Sequence, residues 1–169
     1  MSKAGIEQLL YLMDEAFDAQ GPHGEHSLLV NLRSLHDDDW QWLPPGGGRS
    51  IFDIVRHAGE CKYVYDNHAF GDATMRWDQP GTVPTVGPDE EPTAIIDWLR
   101  EGHKRWRQSV AALDDDELLR PRKVNWGELK DTRWIIAVMI EHDLYHAGEI
   151  NHIRALRQGN DRWAHEMST

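Results

Sequence analysis

Apolar positions fall in four stretches with helical spacing. Ile6, Leu9, Leu10, Met13, Ala16 and Phe17 place one stripe on a first helix. Gly21-Pro22-His23-Gly24 breaks or kinks it, and the pattern resumes at Leu28, Leu29, Leu32 and Leu35. Asp37-Asp38-Asp39 and Pro44-Pro45-Gly46-Gly47-Gly48 mark a loop. A second helix begins at Ser50, where Ser50 and Asp53 have the spacing of a capping box. Its apolar side continues through Ile51, Ile54, Val55, Ala58 and Val64, and Gly71 ends it.

Residues 77 to 92, with four prolines and two glycines, read as a long connection. Thr93 is placed to cap a third helix with Ile95, Trp98, Leu99, Trp106 and Val110 inward, closed by Asp114-Asp115-Asp116-Glu117. Pro121 to Lys130 reads as irregular. Thr132 is placed to cap a last helix running to about Gln158, before Gly159. Its inner positions are Ile135, Met139, His142, His146, Glu149, Ile153 and Leu156, a bundle seam with polar residues at its middle. No stretch sustains two-residue alternation, so the pattern predicts an all-α four-helix bundle with long connections and a kinked first helix.

Composition narrows the function. The 169 residues fit one domain, 1–169, long enough for a real core. A formal net charge of -11 argues against nucleic acid and anionic membranes as partners, since phosphate-tracking surfaces need clustered Lys and Arg. The single cysteine, Cys61, rules out an intramolecular disulfide. The N-terminus lacks the apolar core of a signal peptide, and no apolar run approaches the ~20 residues of a membrane span. A cytoplasmic location is the default expectation.

Ten histidines are too many for one site, and position sorts them. His142 and His146 are four residues apart on the last helix, so both imidazoles share a face, at seam positions that are otherwise apolar. Two uncompensated imidazoles there cost several kcal/mol of desolvation, a cost that a shared metal ion removes. The tetrapeptide His-Ala-Gly-Glu occurs at 57–60 and again at 146–149, each copy in a helix that follows an aspartate-rich loop. This weak internal duplication makes His57 the best third ligand. Glu149 lies two turns from His142 on the same face and is placed to orient a ligand or a bound water. Asp53, one turn before His57, is a second such candidate, although helix capping competes for it. Cys61, one turn after His57, reads as core packing. The other histidines read as solvated or locally bonded.

These residues resemble the DinB-like superfamily, which includes the YfiT-type proteins. The resemblance rests on Ser50-Ile51-Phe52-Asp53-Ile54-Val55-Arg56-His57, on Gly127-Glu128-Leu129, and above all on His142-Asp143-Leu144-Tyr145-His146-Ala147-Gly148-Glu149-Ile150 with Arg154. Glu149 stands where the family pattern often has Gln. The resemblance implies a four-helix bundle, a metal triad carried here by His57, His142 and His146, and a homodimer. It also implies thiol-dependent transferase or isomerase chemistry with low-molecular-weight thiols of the bacillithiol or mycothiol type.

Three histidines on a divalent ion leave a coordination position open, as catalytic sites do. The leading expectation is therefore metal-dependent transfer of a small-molecule thiol to an electrophile, with Trp and Tyr side chains near residues 77–92 lining the acceptor pocket. Zn or Ni suits the ligand set best, with Fe, Mn or Cu as further candidates. Two alternatives stand beside it. A metal-dependent small-molecule hydrolase is one; the zincin protease form of it is disfavoured, because His142-Asp143-Leu144-Tyr145-His146 has the shorter Asp for Glu and the downstream candidate ligand, Glu166, lies past a predicted helix break. A non-enzymatic metal-binding stress-response protein is the other.

Overall fold

The computed structural model describes residues 2–21 and 24–161. Four helices, α1 (Ala4–Asp18), α2 (Ile51–Phe70), α3 (Pro92–Ala111) and α4 (Thr132–Gln158), form the architecture, with one short hairpin, β1 (Pro121–Lys123) and β2 (Leu129–Asp131). Helix α2 lies against α3 and α4, and α1 lies against the same two, so the bundle runs α1–α3–α2–α4 around its axis. The helical-bundle expectation holds. No helix among the described residues is long and apolar enough to cross a membrane.

The expected kink in the first helix is a full stop. Helix α1 ends at Asp18; of the apolar residues that follow, Val30 and Leu32 lie on a single 3-10 turn (Val30–Leu32), while Leu28, Leu29 and Leu35 lie in turn or loop backbone, not on a continued helix. Pro22 and His23 of the predicted break lie outside the described residues. The backbone N–H groups of Leu28 and Leu29 donate to the carbonyls of Ala16 and Phe17, which folds this segment back along α1. Buried Arg154 on α4 holds the same segment by donating to the carbonyls of Asn31 at 2.8 Å and Arg33 at 2.9 Å.

Both ends of α2 match the sequence. Ser50 and Asp53 form the full reciprocal capping box, and the helix stops at Gly71. The caps of α3 and α4 do not. Glu91 and Pro92 open α3, because proline already has helical φ and no N–H to satisfy, so Thr93 is not its cap. Asp131 is the cap position of α4, and the Thr132 hydroxyl, already inside the helix, donates instead to the Arg120 carbonyl at 2.7 Å. That bond ties the hairpin to the helix start. The hairpin itself pairs Pro121 with Asp131 in antiparallel register. Three residues per strand are too few to produce alternation that a sequence reading can see. At the far end of α4, Gly159 takes the left-handed conformation (φ +72°) that stops the helix. Leu156, expected on the seam, is half exposed.

Helices α2 and α3 approach closely through two glycines. A Cβ on Gly59 would lie 2.2 Å from the Trp98 ring, and one on Gly102 would lie 2.9 Å from the Tyr63 ring. Each glycine receives the aromatic side chain of the other helix, and the Tyr63 hydroxyl donates to the Trp98 carbonyl at 3.0 Å. Because Trp98 is ring carbon packed in a helix crossing, Gly59→Ala should cost about 1–3 kcal/mol by overpacking, read as a lowered urea midpoint with unchanged m-value.

The apolar interior divides into two clusters. One gathers Phe17, Leu28, Trp40, Ile54, Ala58, Leu99 and Ile150, and the other gathers Ile6, Met13, Cys61, Trp106, Ile135 and Met139. Along α2 and α4 the boundary between them carries polar residues: Lys62, Asp143 and the histidines described next.

Candidate metal centre

The three sequence-selected histidines meet. Helix α2 presents His57, and α4 presents His142 and His146 one turn apart. The Nε2 atom of His142 lies 3.2 Å from Nε2 of His57 and 3.0 Å from Nε2 of His146. The His57 and His146 ring centroids are 5.1 Å apart. The repeated tetrapeptide thus does bring its two histidines onto facing surfaces, and both aspartate runs form 3-10 turns, at Asp37–Asp39 and Asp115–Glu117.

Cys61 also reaches this cluster. It packs in the core as expected, yet its Sγ lies 3.8 Å from His57 Nε2. His57, Cys61 and His142 offer donor atoms that all lie within 4.8 Å of one another, a group able to hold a metal ion. His146 joins through its contact with His142. Sequence reading gave Cys61 a packing role only. The i, i+4 spacing from His57, the same spacing that singled out His142 and His146, was the signal available.

Burial keeps the imidazoles neutral. It lowers His57, aided by the nearby Arg49 guanidinium, and it lowers His142 to about 3, aided by the neighbouring His146 and His57 rings. Burial likewise lowers His146, against the opposing pull of Glu149. Burial pushes the Cys61 thiol up to about 12.

Glu149 stands where the sequence placed it. Its carboxylate accepts from His146 Nδ1 at 2.6 Å and from the Arg49 guanidinium at 2.8 and 2.9 Å. Burial alone would raise its pKa, but these hydrogen bonds outweigh it and leave the carboxyl below its ordinary value. An ionised carboxylate can only accept, so the His146 proton sits on Nδ1 and its Nε2 carries a lone pair. That lone pair points at His142 Nε2, which in turn faces His57 Nε2. A single proton on His142 Nε2 can serve one of these two contacts, not both. The His142 Nδ1 atom is buried without a hydrogen-bond partner. A cation beside these Nε2 atoms would take up the competing lone pairs, and the His57–Cys61–His142 group has the donor types and spacing to hold a divalent metal.

Asp53 does not orient the site. Its carboxylate is taken by the Ser50 hydroxyl at 2.7 Å, the Ser50 N–H at 3.2 Å and Arg56 at 3.4 Å, so capping wins the competition. Asp143 is likewise unavailable as a zincin-like base. It is fully buried and held by Lys62 Nζ at 2.7 Å to both carboxylate oxygens. Glu166, the remote ligand of the hydrolase alternative, and His165 lie outside the described residues. The remaining histidines sort as follows. His26, His36 and His152 are exposed. His68 is buried and donates to the Met75 carbonyl at 2.8 Å. His103 departs from the solvated reading: it is buried, stacked on Phe17 at 3.7 Å, and lowered to about 2 by that burial and by nearby Lys62 and Arg107.

Trp77 packs 6.5 Å from the His57 ring, and exposed Tyr145 flanks His146 at 5.1 Å. Trp77 also lines two surface clefts. One of about 440 Å³ is lined by His68, Met75, Lys123 and Trp126, and a smaller one of about 140 Å³ by Glu60, Val83 and Thr85. Trp77 is thus the aromatic of the 77–92 connection that stands nearest the histidines among the described residues.

Fold and site together define a helical-bundle protein with a His- and Cys-lined cluster fit to bind a metal ion. The sequence pattern of the DinB superfamily matches residues 23–150, well over half of the chain, and the protein belongs to that superfamily. No curated protein matches it.

Because Glu149 fixes the His146 tautomer, Glu149→Gln should weaken zinc binding by about 10- to 100-fold, measured by competition with a chromophoric chelator. An affinity equal to that of the unaltered protein would remove Glu149 from the site.

Proposed function

We propose that His57, His142 and His146 hold one divalent ion, zinc or nickel, and that the protein transfers a small cellular thiol to an electrophile. The observation that carries the metal reading is the convergence of neutral imidazoles whose Nε2 lone pairs compete at 3.0 and 3.2 Å. A divalent ion bound there would supply Lewis acidity, so that a thiol gives up its proton to solvent near neutral pH and its sulfur bonds to the electrophile, which expels its leaving group or takes up a proton after addition. The chain's own part is positional. Glu149, clamped by Arg49, keeps the His146 proton on Nδ1 and the ring aimed inward. Trp77 beside His57 forms one wall of the space in which the electrophile is held, and the adjoining clefts accommodate its body. The choice of a thiol as co-substrate rests on the superfamily resemblance.

The test begins with elemental analysis of the purified protein, with the His57→Ala, His142→Ala and His146→Ala variants beside it. The metal-loaded protein is then offered a chromogenic electrophile with cysteine, glutathione, bacillithiol or mycothiol. The expected result is one ion per chain and a thiol conjugate that stops forming on chelation. A full metal complement with no conjugate from any thiol would defeat the transferase reading. Product released without an added thiol would transfer the proposal to hydrolysis.

A further inference from the structure

We infer that Cys61 is a fourth donor to the same ion, so that the centre is built from two i, i+4 pairs on facing helices: His57 with Cys61 on α2, and His142 with His146 on α4. This rests on the metal-site reading above and changes its character.

Geometry carries the inference. Around a tetrahedral ion bonded to imidazole at about 2.0–2.1 Å and to sulfur at about 2.3 Å, nitrogen–nitrogen edges are roughly 3.3 Å and nitrogen–sulfur edges roughly 3.6 Å. The edges present are 3.2 Å for His57 to His142, 3.0 Å for His142 to His146, and 3.8 Å for Cys61 Sγ to His57 Nε2. Three of the six edges of a four-donor shell thus stand within a few tenths of an ångström of tetrahedral values, and the Cys61–His142 edge is within 4.8 Å. Cys61 is held in place by the second apolar cluster and sits one residue before Lys62, whose ion pair with Asp143 locks α2 against α4. The sulfur therefore comes to the cluster on the same rigid pair of helices as the imidazoles.

On binding, the thiol sheds its proton to solvent and the sulfur donates a lone pair to the ion. The consequence is a resting site with four protein donors, closed in the manner of structural zinc sites, where three histidines alone would leave a position free. An external thiol would have to take the place of the Cys61 sulfur.

The test uses cobalt(II) in the metal-free full-length protein, with a phosphine reductant so that Cys61 is the sole sulfur donor of thiol type. The expected spectrum has visible d–d bands and an intense near-ultraviolet sulfur-to-cobalt charge-transfer band. In Cys61→Ser the visible bands persist, the near-ultraviolet band disappears, and zinc affinity falls by roughly tenfold or more, at least the loss seen for outer-shell partners. Cobalt bound with d–d bands but no charge-transfer band, or the same band in Cys61→Ser, overturns the inference while the three-histidine site stands. Failure of the unaltered protein to bind cobalt or zinc overturns both. Should Cys61→Ser not fold, zinc X-ray absorption on the unaltered protein decides: a sulfur neighbour at about 2.3 Å supports the inference, and a shell of nitrogen and oxygen only refutes it.

Discussion

Replacing Lys62 by methionine should destabilise the fold by about 3–5 kcal/mol, because it strands the Asp143 carboxylate in the interior. Both side chains are 1% exposed, and Nζ meets each carboxylate oxygen at 2.7 Å. Lys62 also lies 5.0 Å over the Phe17 ring. Burial already raises the Asp143 pKa, and Lys62 opposes that rise. Without Lys62 the rise grows. The sign of the pH dependence follows. An acid whose folded pKa is raised is best tolerated when protonated, so the Lys62→Met deficit should be smallest at acid pH and grow as pH rises through the folded pKa. The double variant Lys62→Met/Asp143→Leu should recover most of the loss, since replacing a buried pair by apolar groups of similar volume is often neutral or stabilising. Urea denaturation of the unaltered protein, Lys62→Met, Asp143→Leu and the double variant gives the coupling energy directly. Additive losses in the double variant would show that the pair does not act as a unit.

His142→Ala should abolish metal-dependent stabilisation. His142 is the shared member of both nitrogen–nitrogen contacts and belongs to the three-donor group with Cys61. Zinc held at 100 times its Kd stabilises a native protein by about 2.7 kcal/mol, equivalent to roughly 5–10 °C in Tm for a chain of this size. If the variant binds zinc a hundredfold more weakly, the same zinc concentration contributes only about 0.4 kcal/mol. The comparison is made within each protein, with and without zinc, so any change in metal-free stability cancels. A zinc-induced Tm shift equal to that of the unaltered protein would remove His142 from the site.

The two effects meet in one layer of the bundle. Lys62 follows Cys61, and Asp143 follows His142, so the ion pair that fixes the register of α2 against α4 neighbours the donors on both helices. A one-turn slip between these helices would separate His57 from His142 and leave Asp143 without its cation. The buried pair is expensive in isolation, and it stands directly beside the donors on both helices. The two glycines of the α2–α3 contact act in the same direction, since Gly59 lies two residues beyond His57 and sets how closely α3 supports that part of α2.

Much of this was legible in the chain. The four helices follow from apolar spacing, and the α2 cap and the Gly159 stop follow from residue types that local backbone geometry requires. The His142/His146 pair was visible from its spacing, and His57 from the repeated tetrapeptide. Legibility ended where local chemistry had two equally good uses for a residue. Asp53 fits both a cap and an imidazole partner, and the nearer group took it. Thr93 and Thr132 suit helix starts, but Pro92 and the Arg120 carbonyl claimed those positions. Cys61 suits a core or a metal, and its distance from His57 Nε2 was not available from spacing alone.

Periodicity, caps and the histidine spacing depend on residues within a few positions of one another, so the sequence alone determined the bundle, both ends of α2, the Gly159 stop of α4, and the face on which imidazoles collect. The partners of Lys62, Asp143 and Arg49 are supplied by segments far away in the chain, as with Lys62 and Asp143, 81 residues apart, and Arg49 and Glu149, 100 apart. Only the tertiary structure decided those, because pairing across a bundle is set by how the helices pack, and packing energy is a property of the whole interior, not of any local stretch.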